Sequence, residues 1–301
     1  MPKMRPNKLD MSDIEVDTKN PTTVKADKAN RKKLSEKKRK TKRIRTFIIV
    51  LVVILVVGFL GAYAYAYTTD SFKIEKIEIN GVQHLTDDEM NQLIDVSDDA
   101  TLLKVDTDII KKRLKRDAWI QDVDVVLKFP DTLVINVTER PITAIVEIPT
   151  SSESASSSYV RNWAISADHI WLMPVPDKNS DVGKSINQQI YEDVEGVMHI
   201  VDVSPSVSPE IGSPCTDEAV NNAIDVVASM TTDLKNQVKN VKATDANSTN
   251  LILNNGVEIA VGTSENLREK ERVCQELLQK YEGKISYINV RNSANPTWRS
   301  L

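Results

Sequence analysis

Two cysteines and three histidines are the residues of this chain whose side chains most often carry out chemistry in proteins. Cys215 and Cys274 are too few to build a zinc site or a disulfide framework. Cys274 lies on the apolar side of a predicted helix, where a buried, unactivated thiol is inert. The histidines His84, His169 and His199 are scattered singly, and no two have metal-ligand spacing. We therefore predict no catalytic centre, no metal and no cofactor, and expect that the chain is not an enzyme.

The two cysteines have a second interpretation. Both lie well after the most apolar run of the chain, and each is near one of two helices predicted in the C-terminal half. A disulfide between Cys215 and Cys274 is one interpretation and a pair of core thiols is the other. The sequence leaves both open, because it does not give the distance between the two Cα atoms.

Charge is distributed unevenly along the 301 residues. Residues 1–67 contain 16 of the 39 Lys and Arg residues but only 6 of the 43 Asp and Glu residues. This part therefore carries a net charge of +10, and the remainder carries −14. Residues 31–45, RKKLSEKKRKTKRIR, hold ten of these cations and one Glu. A basic run beside an apolar segment is typical of the cytoplasmic flank of a membrane helix, so we expect no nucleic acid.

Residues 46–67 predict a transmembrane helix, because no charge interrupts TFIIVLVVILVVGFLGAYAYAY. As a helix these residues would span roughly 33 Å, enough to cross a hydrocarbon core of about 30 Å. The basic flank predicts that residues 1–45, a disordered tail, are cytoplasmic and that the chain after residue 67 is outside. A cleaved signal peptide is the alternative, since Ala-Tyr-Ala resembles a cleavage site, but its basic region would be unusually long.

The first outer domain is predicted over residues 72–141. A strand over 72–80 alternates Ile77 and Ile79 with polar residues, and two helices follow, the first opened by a Thr86–Glu89 capping box. The second helix has an apolar stripe of Ile109, Ile110 and Leu114. Two alternating strands, VDVVLKF and LVINVTE, come next across a Pro-Asp turn. The order β-α-α-β-β predicts a small sheet with helices on one face.

This order of elements resembles a POTRA domain of the FtsQ/DivIB family of membrane-anchored cell-division proteins. The matching segments are FKIEKIEINGVQHLTDDEM, TLLKVDT, the WI of DAWI and FPDTLVINVTERPITA. Further along, LILNNGVEIAVG, ENLREKE and YINVRNSANPTWR resemble the second domain of that family. The fold class is therefore predicted as α+β: one transmembrane helix, the POTRA-like domain, and a mostly β domain with two helices over residues 142–292. Residues 293–301 are predicted as a C-terminal tail, and residues 150–158 as a Ser-rich loop.

The resemblance implies a bitopic scaffold that sits in the plasma membrane at the division septum and helps control septal peptidoglycan synthesis. The implied partners are FtsB/DivIC-type and FtsL-type bitopic coiled-coil proteins and other divisome components, with no small-molecule substrate. The last predicted strand, ISYINV, has no further strand after it and is therefore a candidate exposed edge for strand addition. A proline at Ile288 is expected to block docking. The predicted partner-binding residues are Ser286, Tyr287, Ile288, Asn289, Val290, Arg291, Asn292 and Trp298.

Two departures from the family pattern weaken the transfer of individual contacts. Asn289 stands where the family usually has Asp, and Asn292 stands where some members have an aromatic contact residue. Two other functions are alternatives. A POTRA-type translocation chaperone would need alternating barrel strands after the POTRA repeats, and a secreted cell-wall hydrolase would need a nucleophile or ligand set.

Overall fold

The computed structural model describes residues 21–68, 72–150 and 159–301. The first 20 residues of the predicted tail and most of the Ser-rich loop lie outside these ranges. The described chain divides into an N-terminal unit, up to Thr69, and a second compact unit, Asp70–Leu301. Each unit is described by itself below.

The N-terminal unit is one long helix, α1 (Pro21–Thr68). Its segment Ile44–Tyr67 is long and apolar enough to cross a membrane. This segment begins two residues before the predicted span. Residues 21–45 were predicted as part of a disordered tail, but in the structure they are helical. Lys, Arg, Glu and Ala are good helix formers, and this stretch continues directly into the apolar helix.

The first outer domain contains β1 (Lys76–Asn80), α2 (Asp87–Ile94), α3 (Thr107–Leu114), β2 (Ile120–Lys128) and β3 (Thr132–Glu139). The three strands form a sheet in the order β1-β3-β2, with β1 parallel and β2 antiparallel to the central β3. The two helices cover one face of the sheet and bury a core that includes Met90, Ile94, Leu114, Leu133 and Ile135. The predicted β-α-α-β-β order is confirmed.

The helix stripe predicted in α3 is partly wrong. Ile110 and Leu114 are buried, but Ile109 is 50% exposed. Ile110 and Leu114 are four residues apart and share a face, whereas Ile109 is rotated about 100° away from Ile110. An eight-residue helix lying on a sheet buries a narrow stripe, and Ile109 falls outside it.

The capping box of α2 is formed as predicted. The Glu89 main-chain N–H donates to Thr86 Oγ1 at 3.3 Å, and the Thr86 N–H donates to Glu89 Oε2 at 2.8 Å. We expect Thr86→Ala to lower the free energy of unfolding by about 1 kcal/mol, because it leaves an N-terminal donor of the helix without its acceptor. Urea unfolding measures this loss. Thr86→Ser keeps the hydroxyl, and an equal loss in both variants would contradict the capping role.

The second outer domain is built on a nine-stranded sheet in the order β12-β11-β10-β9-β8-β7-β4-β5-β6. Its strands are β4 (Ile142–Thr150), β5 (Tyr159–Ser166), β6 (Trp171–Pro174), β7 (Met198–Val201), β8 (Val238–Ala243), β9 (Thr249–Leu253), β10 (Glu258–Gly262), β11 (Ile285–Asn289) and β12 (Thr297–Ser300). Its helices are α4 (Gln188–Val194), α5 (Glu218–Ser229), α6 (Thr232–Lys235) and α7 (Leu267–Lys280). The fold class is confirmed, with two short helices, α4 and α6, beyond the two that were predicted.

The sequence gives no alternation at β4, which is the longest strand missed. Ala144, Val146 and Ile148 pack against the main core with α5, whereas Ile145 packs on the opposite face against Trp119 of the first outer domain. Because Ala144, Ile145 and Val146 are all buried, this part of β4 is apolar on both faces and shows no period of two.

Candidate functional site

The candidate site is the end of the large sheet formed by β10, β11 and β12. β11 runs parallel to β10 and antiparallel to β12. The expectation that no strand follows ISYINV is therefore wrong, and so is the prediction that residues 293–301 are only a tail. β11 lies inside the sheet, and β12 is the edge strand at this end of it.

Main-chain geometry identifies which groups of β12 point outward. The Val290 N–H donates to the Ala260 carbonyl on β10, so the main chain of Tyr287 and Asn289 faces β12. Their register partners Arg299 and Thr297 point inward, and the residues between them point outward, because main-chain groups alternate along a strand. Trp298 consequently presents its N–H and carbonyl at the free edge, and Ser300 presents its N–H, while the Ser300 carbonyl accepts from the Ser286 hydroxyl.

Aromatic side chains surround this edge on both faces. Trp298 is 43% exposed and stacks on Tyr281, which follows α7, with ring centroids 5.2 Å apart. On the opposite face the Arg299 guanidinium lies 4.3 Å from the Tyr287 ring centroid. Aromatic rings and arginine are the side chains most enriched at the centres of protein interfaces. A cleft of about 440 Å³, lined in part by Tyr281, adjoins the edge.

The other predicted partner-binding residues have different positions. Ile288 and Val290 are core residues with no exposed surface, and a proline at Ile288 would break the pairing with β10 as well as any docking. That variant therefore cannot distinguish lost docking from lost folding. Ser286 lies beside β12, since its hydroxyl donates to the Ser300 carbonyl at 2.9 Å.

Asn289, Arg291 and Asn292 shape the connection between β11 and β12. Asn289 Oδ1 accepts the Arg291 N–H at 3.1 Å, and Asn292 Oδ1 accepts the Ala294 N–H at 3.1 Å. The Arg291 guanidinium donates to the Ser248 hydroxyl. These side chains have partners within the domain, so their contact with a partner protein stays a prediction.

The opposite end of the sheet is less suited to strand addition. β6 ends at Pro174, and Pro176 follows two residues later. Proline has no N–H to donate, and natural proteins often place it on edge strands to prevent pairing. The β12 edge is therefore the better candidate for binding an extended segment.

Both cysteines are free and buried in the structure, so the disulfide that the sequence left open is not formed there. Burial raises the pKa of the Cys215 thiol to about 11 and that of Cys274 to about 12. Thiols with such pKa values are protonated near neutral pH and are poor nucleophiles.

Each of the three histidines contacts a carboxylate that the sequence did not identify. His169 Nε2 lies 2.9 Å from Asp225, His199 Nδ1 lies 2.6 Å from Glu147, and His84 contacts two carboxylates at once. Within residues 21–68, 72–150 and 159–301, no three His, Cys, Asp or Glu side chains are grouped as metal ligands.

Comparison with known proteins matches both outer domains to the same family. The family model for the POTRA domain, FtsQ-type, matches residues 72–140. The family model for the cell division protein FtsQ/DivIB, C-terminal, matches residues 186–291.

Among the relatives, a cell division protein FtsQ of Streptomyces bingchenggensis is 34% identical over 106 residues, which cover 35% of this chain and 40% of that protein. One from Bradyrhizobium diazoefficiens is 38% identical over 74 residues, 25% of this chain and 22% of that protein. In these two alignments the chain spans less than half of the relative's length. The match to the Streptomyces collinus protein is 24% identical and longer, covering 81% of this chain and 84% of that protein.

Proposed function

The chain belongs to the FtsQ/DivIB family of cell-division proteins, and on that premise we propose that it is a bitopic membrane scaffold of the bacterial division machinery. The observation that carries the proposal is the match of two consecutive outer domains to FtsQ-type family models. In this role the chain positions other proteins and helps control septal peptidoglycan synthesis, and its partners carry out the chemistry.

Two features of α1 support the anchor and its orientation. Its apolar segment, Ile44–Tyr67, supports a single pass through the plasma membrane. The ten Lys and Arg residues of residues 31–45 support a cytoplasmic N-terminus, because positive charge is retained on the cytoplasmic side. The two outer domains are then extracytoplasmic, and we place the protein at the division septum.

The β12 edge supports a docking mode for the partners. A segment of a FtsB/DivIC-type or FtsL-type protein would add as a further strand beside β12, with main-chain hydrogen bonds to Trp298 and Ser300. Side chains of that segment would contact Trp298 and Tyr281 on one face and Arg299 on the other. Strand addition needs few specific side chains, so it accommodates the departures at Asn289 and Asn292.

The test combines location with binding. We expect a fluorescent fusion of the full chain to concentrate at the septum, and the tagged full chain to co-purify with the FtsB/DivIC-type and FtsL-type proteins of its own cell. Mass spectrometry of the purified complex identifies the partners. Uniform membrane fluorescence together with absence of both coiled-coil proteins from the complex would overturn the proposal.

A further inference from the structure

His84 lies buried where the two outer domains meet. Its side chain is 4% exposed, and both ring nitrogens contact carboxylates. Nδ1 lies 2.6 Å from Glu139 Oε2, at the end of β3 in the first domain. Nε2 lies 2.7 Å from Asp193 Oδ2, on α4 of the second domain. A single imidazole therefore connects the two domains, and we call this contact through His84, Glu139 and Asp193 the joint.

The surroundings hold this ring in one orientation. Trp119 stacks on it, with ring centroids 4.2 Å apart and planes 15° from parallel. Asn187 Nδ2 donates to the main-chain carbonyls of Gln83 and His84 from the second domain. The main-chain N–H groups of the same two residues donate to the Glu139 carboxylate. The ring consequently has little freedom to turn away from either carboxylate.

Two carboxylates around one imidazole require a charged ring. A neutral imidazole has one N–H donor and one lone pair, whereas an imidazolium donates from both nitrogens. Deprotonation of His84 would leave a lone pair facing a carboxylate oxygen of either Glu139 or Asp193 at hydrogen-bond distance. In a buried site of low dielectric, the loss of this bond and the repulsion that replaces it cost more free energy than they would in water.

Other charged groups near the joint have partners of their own. The Arg140 guanidinium donates to Asp168 Oδ2 at 2.8 Å and to two main-chain carbonyls. The Asp117 carboxylate accepts the main-chain N–H of Trp119 at 2.9 Å. Burial raises the pKa of the Asp117 carboxyl more than this bond lowers it. Among the described residues, Glu139 from β3 and Asp193 from α4 are the charged groups that contact the imidazole itself.

We propose that His84 is a proton-operated clamp between the two outer domains, closed while its imidazolium bridges Glu139 and Asp193. When the ring gives its proton to solvent, one of the two bonds is lost and the joint opens more often. A cleft of about 430 Å³, lined in part by His84 and Thr138, gives water a route to the site. The clamp is a property of the outer domains and goes beyond the proposed scaffold function.

The direction of the pH dependence follows from the contacts. Burial lowers the pKa of His84, but the hydrogen bonds to Glu139 and Asp193 outweigh it, so the pKa is raised above its ordinary value of 6.5. The stabilisation of the joint is therefore fully present below pH 6.5 and is lost as pH rises through the raised pKa. Burial also raises the pKa of Glu139, but the bond from His84 and two main-chain bonds outweigh it and lower that pKa. The joint consequently weakens again only in acid.

The test is hydrogen–deuterium exchange of the full chain in lipid nanodiscs between pH 6 and pH 9. Exchange rates of the segment containing Gln83 and His84 are divided by the intrinsic rate at each pH and compared with β8 and β9 as a reference. We expect protection of this segment to fall with rising pH, by up to about tenfold for each unit by which the pKa in the closed joint exceeds that in the open joint. The reference strands should not change.

Asp193→Asn is the variant that tests the clamp most directly, because it removes the need for a charged ring. The asparagine Nδ2 can donate to the neutral His84 Nε2, and its Oδ1 can still accept from Gln189 Nε2, which lies 2.8 Å away in the native protein. We expect this variant to keep the segment protected at pH 9 and to lose most of the pH dependence. His84→Gln should also be insensitive to pH, with low protection throughout. His199→Gln removes a histidine–carboxylate pair that does not include His84, Glu139 or Asp193, and is the matched control.

Two results would each overturn the clamp. One is protection of the native segment that does not change with pH. The other is an Asp193→Asn or His84→Gln variant that keeps its reference strands protected and retains the native pH dependence.

Discussion

Replacing Gly81 by alanine should unfold the first outer domain or lower its free energy of unfolding by roughly 3 kcal/mol or more. Gly81 follows β1 with φ +86°, a conformation that side chains disfavour. A Cβ built there would lie 2.1 Å from the Val137 carbonyl oxygen, which is main chain of the central strand and cannot move without disturbing the sheet. Chemical unfolding followed by tryptophan fluorescence measures the loss.

Gly256 is the matched control for this prediction. It has φ +83° in the turn between β9 and β10, but its Cβ would meet no atom within 4 Å. Gly256→Ala therefore tests conformational strain without the clash, and should cost only about 1–2 kcal/mol. Equal losses in the two variants would show that the contact with Val137 is not decisive.

Replacing Ser300 by proline should weaken docking of the coiled-coil partner at least about tenfold, which is about 1.4 kcal/mol. Ser300 directs its N–H outward from β12, so the proline removes a donor for an added strand, and its ring obstructs the approach. The inward-facing bonds of Arg299 and Thr297 stay in place. Binding of the purified full chain to its FtsB/DivIC-type partner measures the change.

Ser300→Ala keeps the N–H and should bind as the native chain does. Exchange protection of the Tyr287 and Asn289 amides, which face β12, checks that the strand is still paired. Native affinity in Ser300→Pro, with that protection intact, would exclude strand addition at this edge.

Much of the first outer domain could be predicted from the sequence because its signals are local. The Thr86–Glu89 capping box, the alternation around Ile77 and the alternating pair VDVVLKF and LVINVTE each depend on residues a few positions apart. The strand β4 and the short helices α4 and α6 were missed for two physical reasons. β4 is buried on both faces, and α4 and α6 are too short to show a helical period.

The sequence predicts the position of the candidate site only approximately. The residues of β11 were identified, but β12 was not, because TWRS is four residues long, is exposed throughout and has no apolar alternation. The partners of His84 lie 55 and 109 residues further along the chain, so no local pattern contains them. In the sequence His84 is indistinguishable from an ordinary turn residue, and its contacts with Glu139 and Asp193 are visible only in the folded structure.

The strand order of the large sheet also fixes how far apart its two ends are. The first outer domain packs against residues of β4, β5 and β6, whereas the free edge is β12, six strand spacings beyond β4. At about 4.8 Å per spacing this separation is roughly 29 Å. The width of the sheet thus sets the distance between the contact with the first outer domain and the free edge at β12. Loss or gain of one hairpin such as β8–β9 would change its reach by about 10 Å and leave the chemistry of both ends unaltered.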